Sequence, residues 1–240
     1  MDFFEEIWAT ITKNRSRSIL TGFGVFWGMM MLLVLVGLGQ SLTQGIMANV
    51  EGFAINSCFV IPDRTSKPYK GLQKGRTWSI HNQDMPTIRH AATHADVIAP
   101  MCFGGESTVR FGTWHDEYNM VGITPDYPKI LYIPLLYGRE INEIDVQEKR
   151  KVCVIGNEVY NKLFPEGDNP VGKLLHIGNM QFRIVGVKQK TKAQVYLGGH
   201  PDQQVFWPIS TLQQARQLGE NIHLIMAIAQ SNTPVSIVEE

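Results

Sequence analysis

The chain has 240 residues, with 22 basic side chains against 22 acidic ones and a formal net charge of zero. That balance excludes the basic excess of a nucleic-acid-binding domain, and the length suits one large domain or two small ones. The hydrophobic share, 44 %, is ordinary for a folded protein, but it is unevenly spread: no Asp, Glu, Lys or Arg occurs from Ser18 to Val50.

Residues 3–14, FFEEIWATITKN, place Phe3, Phe4, Ile7, Trp8 and Ile11 at helical spacing. This predicts an amphipathic cytoplasmic segment over residues 1–17, lying in the inner interface of a membrane. A transmembrane helix is expected over residues 18–40. Within it, ILTGFGVFWGMMMLLVLVGLG (19–39) has Thr21 as its one polar side chain. At about 1.5 Å per residue such a run crosses a hydrocarbon core of about 30 Å. Lys13, Arg15 and Arg17 precede the run, and the next basic residue is Arg64. The positive-inside rule then puts the N-terminus in the cytoplasm and residues 41–240 outside. The apolar region exceeds the roughly 7–15 residues of a cleaved signal peptide, and the nearest small-x-small site, Gly37-Leu38-Gly39, lies inside it. Gly24 and Gly28, with Thr21 on the same face, form a GxxxG pair that would let another helix approach closely.

Residues 63–77, DRTSKPYKGLQKGRT, read as a mobile basic loop. Around and beyond it, short strands are expected to alternate with short helices, with strands at 57–61, 97–102, 107–112, 117–123, 151–155, 173–177, 181–187, 204–208 and 223–229. Helices are expected at 83–91, 156–164 and 210–218, the last capped by Ser210. Gly178-Asn179 marks a hairpin turn. The fold class is α+β: one N-terminal transmembrane helix followed by a two-lobed mixed α/β extracytoplasmic domain with mostly antiparallel strands. It lacks the regular βαβ alternation of a nucleotide-binding sheet.

Several residue groups invite a chemical reading. Cys58, Cys102 and Cys153 form no CxxC pair and read as small buried side chains. His90 and His94, four apart with Asp96 nearby, could share a helical face, but no third ligand is placed by spacing, so no metal site is expected. Ser107 and Ser210 lack a GxSxG context. Asp116 and Glu117 read as strand or turn acids. Tyr127, Tyr132, Tyr137 and Trp207 are expected to pack the domain or an interface. GDNPVGK (167–173) matches the start of a phosphate-binding loop. Its context is reversed, since a helix precedes it and a strand follows, Leu174 stands where a Ser or Thr would hold magnesium, and Pro170 removes an N–H. It reads as a helix-to-strand connection, with Pro165 and Gly167 stopping the helix and Pro170 and Gly172 shaping the turn. No catalytic or cofactor-binding residue is assigned.

From Gly122 the chain runs GITPDYPKI, LLYGREINEID, KVCVIGNEVYNKLF and NPVGKLLHIGNMQFRIVGVK. This succession resembles the extracytoplasmic core domain of MacB-type ABC transporter permeases, of the FtsX-like superfamily. Gly138, Arg139, Asp145, Leu163, Phe164, Asn169, Pro170, Gly172, Lys173, Gly186 and Val187 fit that family's motif positions. The resemblance implies a permease subunit of an ABC-type export or mechanotransmission complex in a bacterial inner membrane. It further implies a dimer with a cytoplasmic ABC ATPase subunit, contact with membrane lipid and with a periplasmic adaptor, and no nucleic acid. ATP would be bound by the separate partner, leaving this chain without a cofactor. The outer domain would be two-lobed, one lobe inserted over roughly 125–210. Family members carry three further membrane helices after this domain, whereas no second apolar span precedes Glu240. The expectation is therefore an N-terminal fragment or a truncated relative, with the domain incomplete at its C-terminus. A stand-alone membrane-anchored binding or scaffold domain is the alternative; an enzyme would need a catalytic cluster the sequence does not present.

Overall fold

The computed structural model describes residues 15–49, 56–68, 71–191, 196 and 198–230. The expected amphipathic stretch with Phe3, Phe4, Ile7, Trp8 and Ile11 lies outside these residues. The chain divides into two compact units, Met1–Asn49 and Val50–Glu240.

The described residues of the first unit form one helix, α1 (Arg15–Asn49). Leu and Met favour it, and no Pro interrupts it. Its apolar side chains are exposed on every side, from Leu20 (74 %) through Phe23 to Leu33 (70 %). Residues Arg15–Leu42 are long and apolar enough to cross a membrane, and an 18-residue stretch within them reaches a mean hydropathy of 2.3. A helix apolar all round has no face suited to water. Thr21 donates its hydroxyl to the Arg17 carbonyl at 2.9 Å, so the one polar side chain of the run is satisfied within the helix. Gly24 and Gly28 face open space.

The second unit is built on a sheet. Its elements are β1 (Ser57–Val60), β2 (Ile80–His81), α2 (Met85–Ala91), β3 (Ala95–Phe111), β4 (Trp114–Ile123), α3 (Tyr127–Ile130) and β5 (Leu135–Gly138). There follow α4 (Glu143–Gln147), β6 (Val152–Ile155), α5 (Asn157–Leu163), β7 (Leu174–Ile177) and β8 (Met180–Lys188). The last elements are β9 (Gln204–Pro208), α6 (Ile209–Ala215), β10 (Asn221–Ile222) and β11 (Leu224–Ala229). Most strand pairs are antiparallel; β4 with β9 and β6 with β8 are parallel. The segment expected as an inserted lobe supplies β5 to β9 and joins the common sheet where β9 pairs with β4.

Six strands close on themselves. β3 pairs with β4, β4 with β9, β9 with β6, β6 with β8, β8 with β7, and β7 returns to β3. The two-residue period of a strand then separates two cores. Val109, Tyr118, Met120, Ile155, Leu175, Phe182, Val205 and Trp207 share one cluster with residues of α5 and α6. Val121, Val154, Val185 and Phe206, from alternate positions, share the other with α3 and β11. Phe182 stacks on Trp207 with centroids 3.9 Å apart. A third cluster packs β1, β11 and β10 against α2 through Cys58, Ile98, Ile225 and Met85.

The structure corrects four expectations. The strands expected at 97–102 and 107–112 are one strand, β3, whose register shifts between Phe103 and Glu106. Gly104 and Gly105 form an irregularity within this continuous strand. Ser210 does not cap α6: Pro208 holds that position and Ser210 donates its hydroxyl to the Val146 carbonyl on α4. The segment 63–77 has bridged arms, with Arg64 paired to Thr77 and the Thr65 N–H donating to Arg76. Helices α3 and α4 were not expected, because four or five residues carry too little periodicity to be seen.

Candidate functional site

Strand β8 is the common partner of the motif residues. Gly138 of β5 sits opposite Gly186 of β8, at φ 78°. A Cβ on Gly138 would lie 2.1 Å from the Val185 carbonyl oxygen, and one on Gly186 would lie 2.4 Å from that of Arg139. Only two glycines allow this approach. The Arg139 N–H donates to the Val185 carbonyl at 2.8 Å, locking the turn onto β8.

From that turn Arg139 grips Asp145 with two nitrogens, at 2.6 and 3.1 Å. Asn142 and Asp145 form a reciprocal cap at the start of α4: the Asp145 N–H donates to the Asn142 side chain, and the Asn142 N–H to the carboxylate. Arg150 adds a second cation at 3.7 Å. The Asp145 side chain is fully buried. Burial alone would push its carboxyl up, but Arg139, the Asn142 N–H and Arg150 outweigh it and hold it below the usual carboxylate range. The arrangement ties β5, α4 and the approach to β6 into one brace.

At the end of β8, Lys188 is fully buried and donates to the Glu140 carboxylate at 2.7 Å. Its ammonium also stands 5.2 Å from the centre of the Phe206 ring. Burial pushes the Lys188 ammonium down from its ordinary value, and Glu140 opposes that shift. Neither Lys188 nor Glu140 was singled out in the sequence, because strand alternation does not mark a terminal lysine as buried. Asn142 and Arg150 were missed as well; the N-x-x-D spacing of Asn142 and Asp145 is a capping signal that could have found the first.

The GDNPVGK turn behaves as its context implied. Helix α5 ends at Leu163, and the Gly167 N–H donates back to the Phe164 carbonyl. The Val171 N–H goes to the Asn169 side chain, that of Gly172 to Ile184 and that of Lys173 to Pro170. These N–H groups are therefore turned to the chain itself rather than toward a phosphate. Lys173 pairs with Asp168 at 3.3 Å and lies 5.1 Å from the centre of the Phe164 ring. A cleft of ≈ 220 Å³ opens beside it, walled by Phe111, Trp114, Phe164 and Pro165.

The remaining candidates do not assemble into chemistry. Helix α2 ends at Ala91, so His90 lies on it and His94 lies beyond it; the two do not share a helical face. Among the described residues no group of three His, Cys, Asp or Glu side chains could hold a metal. Ser107 sits on β3, while Asp116 accepts a hydrogen bond from the Lys162 ammonium at 3.0 Å, which holds its carboxyl below the usual carboxylate range. Cys58, Cys102 and Cys153 are buried, and burial pushes the Cys102 thiol up to about 12. Tyr127 and Trp207 pack in the cores and Tyr137 meets Tyr160 at 5.9 Å, but Tyr132 is 67 % exposed.

The comparisons with known proteins agree with this geometry. The family described as MacB-like periplasmic core domain matches residues 18–240. A pyoverdine export ATP-binding/permease protein, PvdT, of Pseudomonas entomophila is 27 % identical over 187 residues, covering 78 % of this chain and 27 % of the relative. A macrolide export ATP-binding/permease protein, MacB, of Yersinia pestis is 22 % identical over 205 residues, covering 85 % of this chain and 30 % of the relative. The chain thus spans under a third of the length of these relatives. Among solved structures, the periplasmic region of MacB from Actinobacillus actinomycetemcomitans superposes with a TM-score of 0.64 at 19 % identity, covering 81 % of this chain and 84 % of that one. The extracellular domain of the noncanonic ABC-type transporter YknZ from Gram-positive bacteria gives 0.62 at 13 % identity, covering 76 % and 88 %. These likenesses carry the fold.

Proposed function

The chain belongs to the family of MacB-like periplasmic core domains, and from that premise we propose that it is the first membrane helix and outer domain of an ABC-type export permease. Its task is mechanical. A cytoplasmic ABC ATPase hydrolyses ATP, the membrane helices of a permease dimer shift, and the outer domains move with them to handle cargo or an adaptor. The chain itself binds no ATP and performs no bond chemistry. Residues 1–17 lie in the cytoplasm, α1 crosses the bacterial inner membrane, and the sheet domain stands outside.

The supporting observation is the ring of six strands braced at β8. A domain that transmits displacement must not absorb it by bending. A closed ring has no free edge within it, and the Arg139–Asp145 brace fixes the β5 turn to α4. Helix α1, apolar on every side, supplies the attachment to the bilayer.

The test is co-purification of the complete gene product from native membranes. An ABC ATPase subunit or domain is expected with it, in a dimeric assembly. Recovery of the intact protein with no ATPase in stoichiometric amount would contradict the proposal.

A further inference from the structure

A second cavity, ≈ 270 Å³ in volume, opens at the β7–β8 turn, and its lining includes Ser107, Ile177, Asn179, Met180, Trp207 and Arg216. Trp207 is 1 % exposed, and its indole N–H has no acceptor among the described residues. The Nε–H of Arg216 is likewise buried and unpartnered. Another guanidinium nitrogen of Arg216 donates to the Glu106 carbonyl at 3.2 Å, which anchors the side chain beside the β3 irregularity. Two residues lining one cavity that each carry a buried donor without an acceptor among the described residues are unusual, since nearly all buried polar groups in folded proteins are paired.

The two unpaired groups are both donors. An indole N–H and a guanidinium donate and cannot accept; a serine hydroxyl and an asparagine amide can donate as well. No Asp or Glu lines the cavity. Ile177 and Met180 supply apolar surface. A water could accept one of these bonds, but it brings two hydrogens of its own. A carboxylate offers several lone pairs and no hydrogen, and a bond from a guanidinium to it is charge-assisted. Asn179 is exposed, so the cavity is reachable from solvent at the hairpin turn.

We infer that this cavity is a binding site for the carboxylate end of a small amphipathic organic acid, with Trp207 and Arg216 holding the carboxylate and Ile177 and Met180 contacting its apolar body. The inference does not depend on the transport reading: it stands or falls on ligand binding by the chain alone.

Hexanoate is a suitable probe, with hexanol as the uncharged counterpart of the same shape. The full chain, in a non-ionic detergent and carrying ¹⁵N-labelled tryptophan, is titrated with each while the indole resonances are followed. Trp207→Phe identifies the Trp207 signal by its disappearance. Hexanoate is expected to move that signal saturably and hexanol to leave it in place. Arg216→Gln should weaken the hexanoate response by about tenfold or more, the usual scale of losing a charge-assisted bond, with the other indole signals unmoved. Should Arg216→Gln fail to fold, Ser107→Ala and Asn179→Ala are titrated instead, and a weaker response from both is expected. No movement with hexanoate, an equal movement with hexanol, or an undiminished response in the folded variants would overturn the proposal and leave water as the only occupant.

Discussion

Helix α1 and strand β9 are both dominated by apolar side chains, and the chain disposes of them in opposite ways. In β9, Val205, Phe206 and Trp207 are almost fully buried, alternate residues feeding the two cores on either side of the sheet. In α1, Phe23, Trp27 and Leu33 are open on all sides. The same hydrophobic drive operates in both. The sheet domain supplies its own interior, because six strands close around it. The helix supplies none, and in the proposed reading the bilayer takes that role. Any change that crosses this division should fail in a way specific to its side.

The largest effect is expected within the ring. Phe182→Ala removes the ring stacked on Trp207 and should lower the stability of the outer domain by about 3–5 kcal/mol, read by chemical denaturation. Membrane extraction of α1 should be unaffected. In the reverse experiment, Leu33→Arg places a charge near the helix centre and should disfavour insertion by about 2.5–3.5 kcal/mol, measured by alkaline extraction and glycosylation mapping. The denaturation midpoint of the outer domain should stay where it is. Arg139→Ala comes next. It leaves Asp145 buried with fewer partners and should cost about 1–3 kcal/mol, tempered by the partial exposure of Arg139, with Arg139→Lys recovering only part because the two-nitrogen grip is lost.

The smallest effect concerns pH. His223 accepts a hydrogen bond at Nδ1 from the Phe103 N–H, and burial pushes its imidazole below its ordinary value. The folded state then binds fewer protons than the unfolded state between the two values. The contribution is complete above the unfolded value, about pH 6.5, and is lost as pH falls through the folded one. Denaturation curves taken stepwise below that point should show stability declining, and His223→Gln should flatten the decline in this interval. Asp145 adds a separate acid loss at lower pH, since its carboxyl is held below the ordinary carboxylate range.

Much of this division was legible in the residues. The uncharged run from Ser18 to Val50 marks the exposed apolar helix, and short β-branched apolar runs such as VCVI and QFRIVGV mark strands. The ring itself was not legible, because closure depends on β7 reaching β3 about seventy residues earlier, and nothing local in LLHI names that partner. The continuity of β3 through Gly104-Gly105 was not legible either: whether a strand resumes after a glycine pair is decided by neighbours such as Leu212, which lies 2.7 Å from where a Gly104 Cβ would be. Arg139 and Asp145 were identified through the family pattern, yet the buried Lys188 and its half-buried partner Glu140 left no mark in periodicity. Trp207 was expected as packing; its unpartnered N–H is a property of the folded cavity alone.

The central claim is that α1 crosses the membrane and places the sheet domain outside, and it can be tested on the three native thiols' own terms. Cys58, Cys102 and Cys153 are buried and should resist labelling in the folded protein. A Thr113→Cys variant puts a thiol on the exposed β3–β4 turn. A membrane-impermeant maleimide added to intact spheroplasts should label it as fully as it labels lysed ones. Labelling that appears only after lysis would contradict the account.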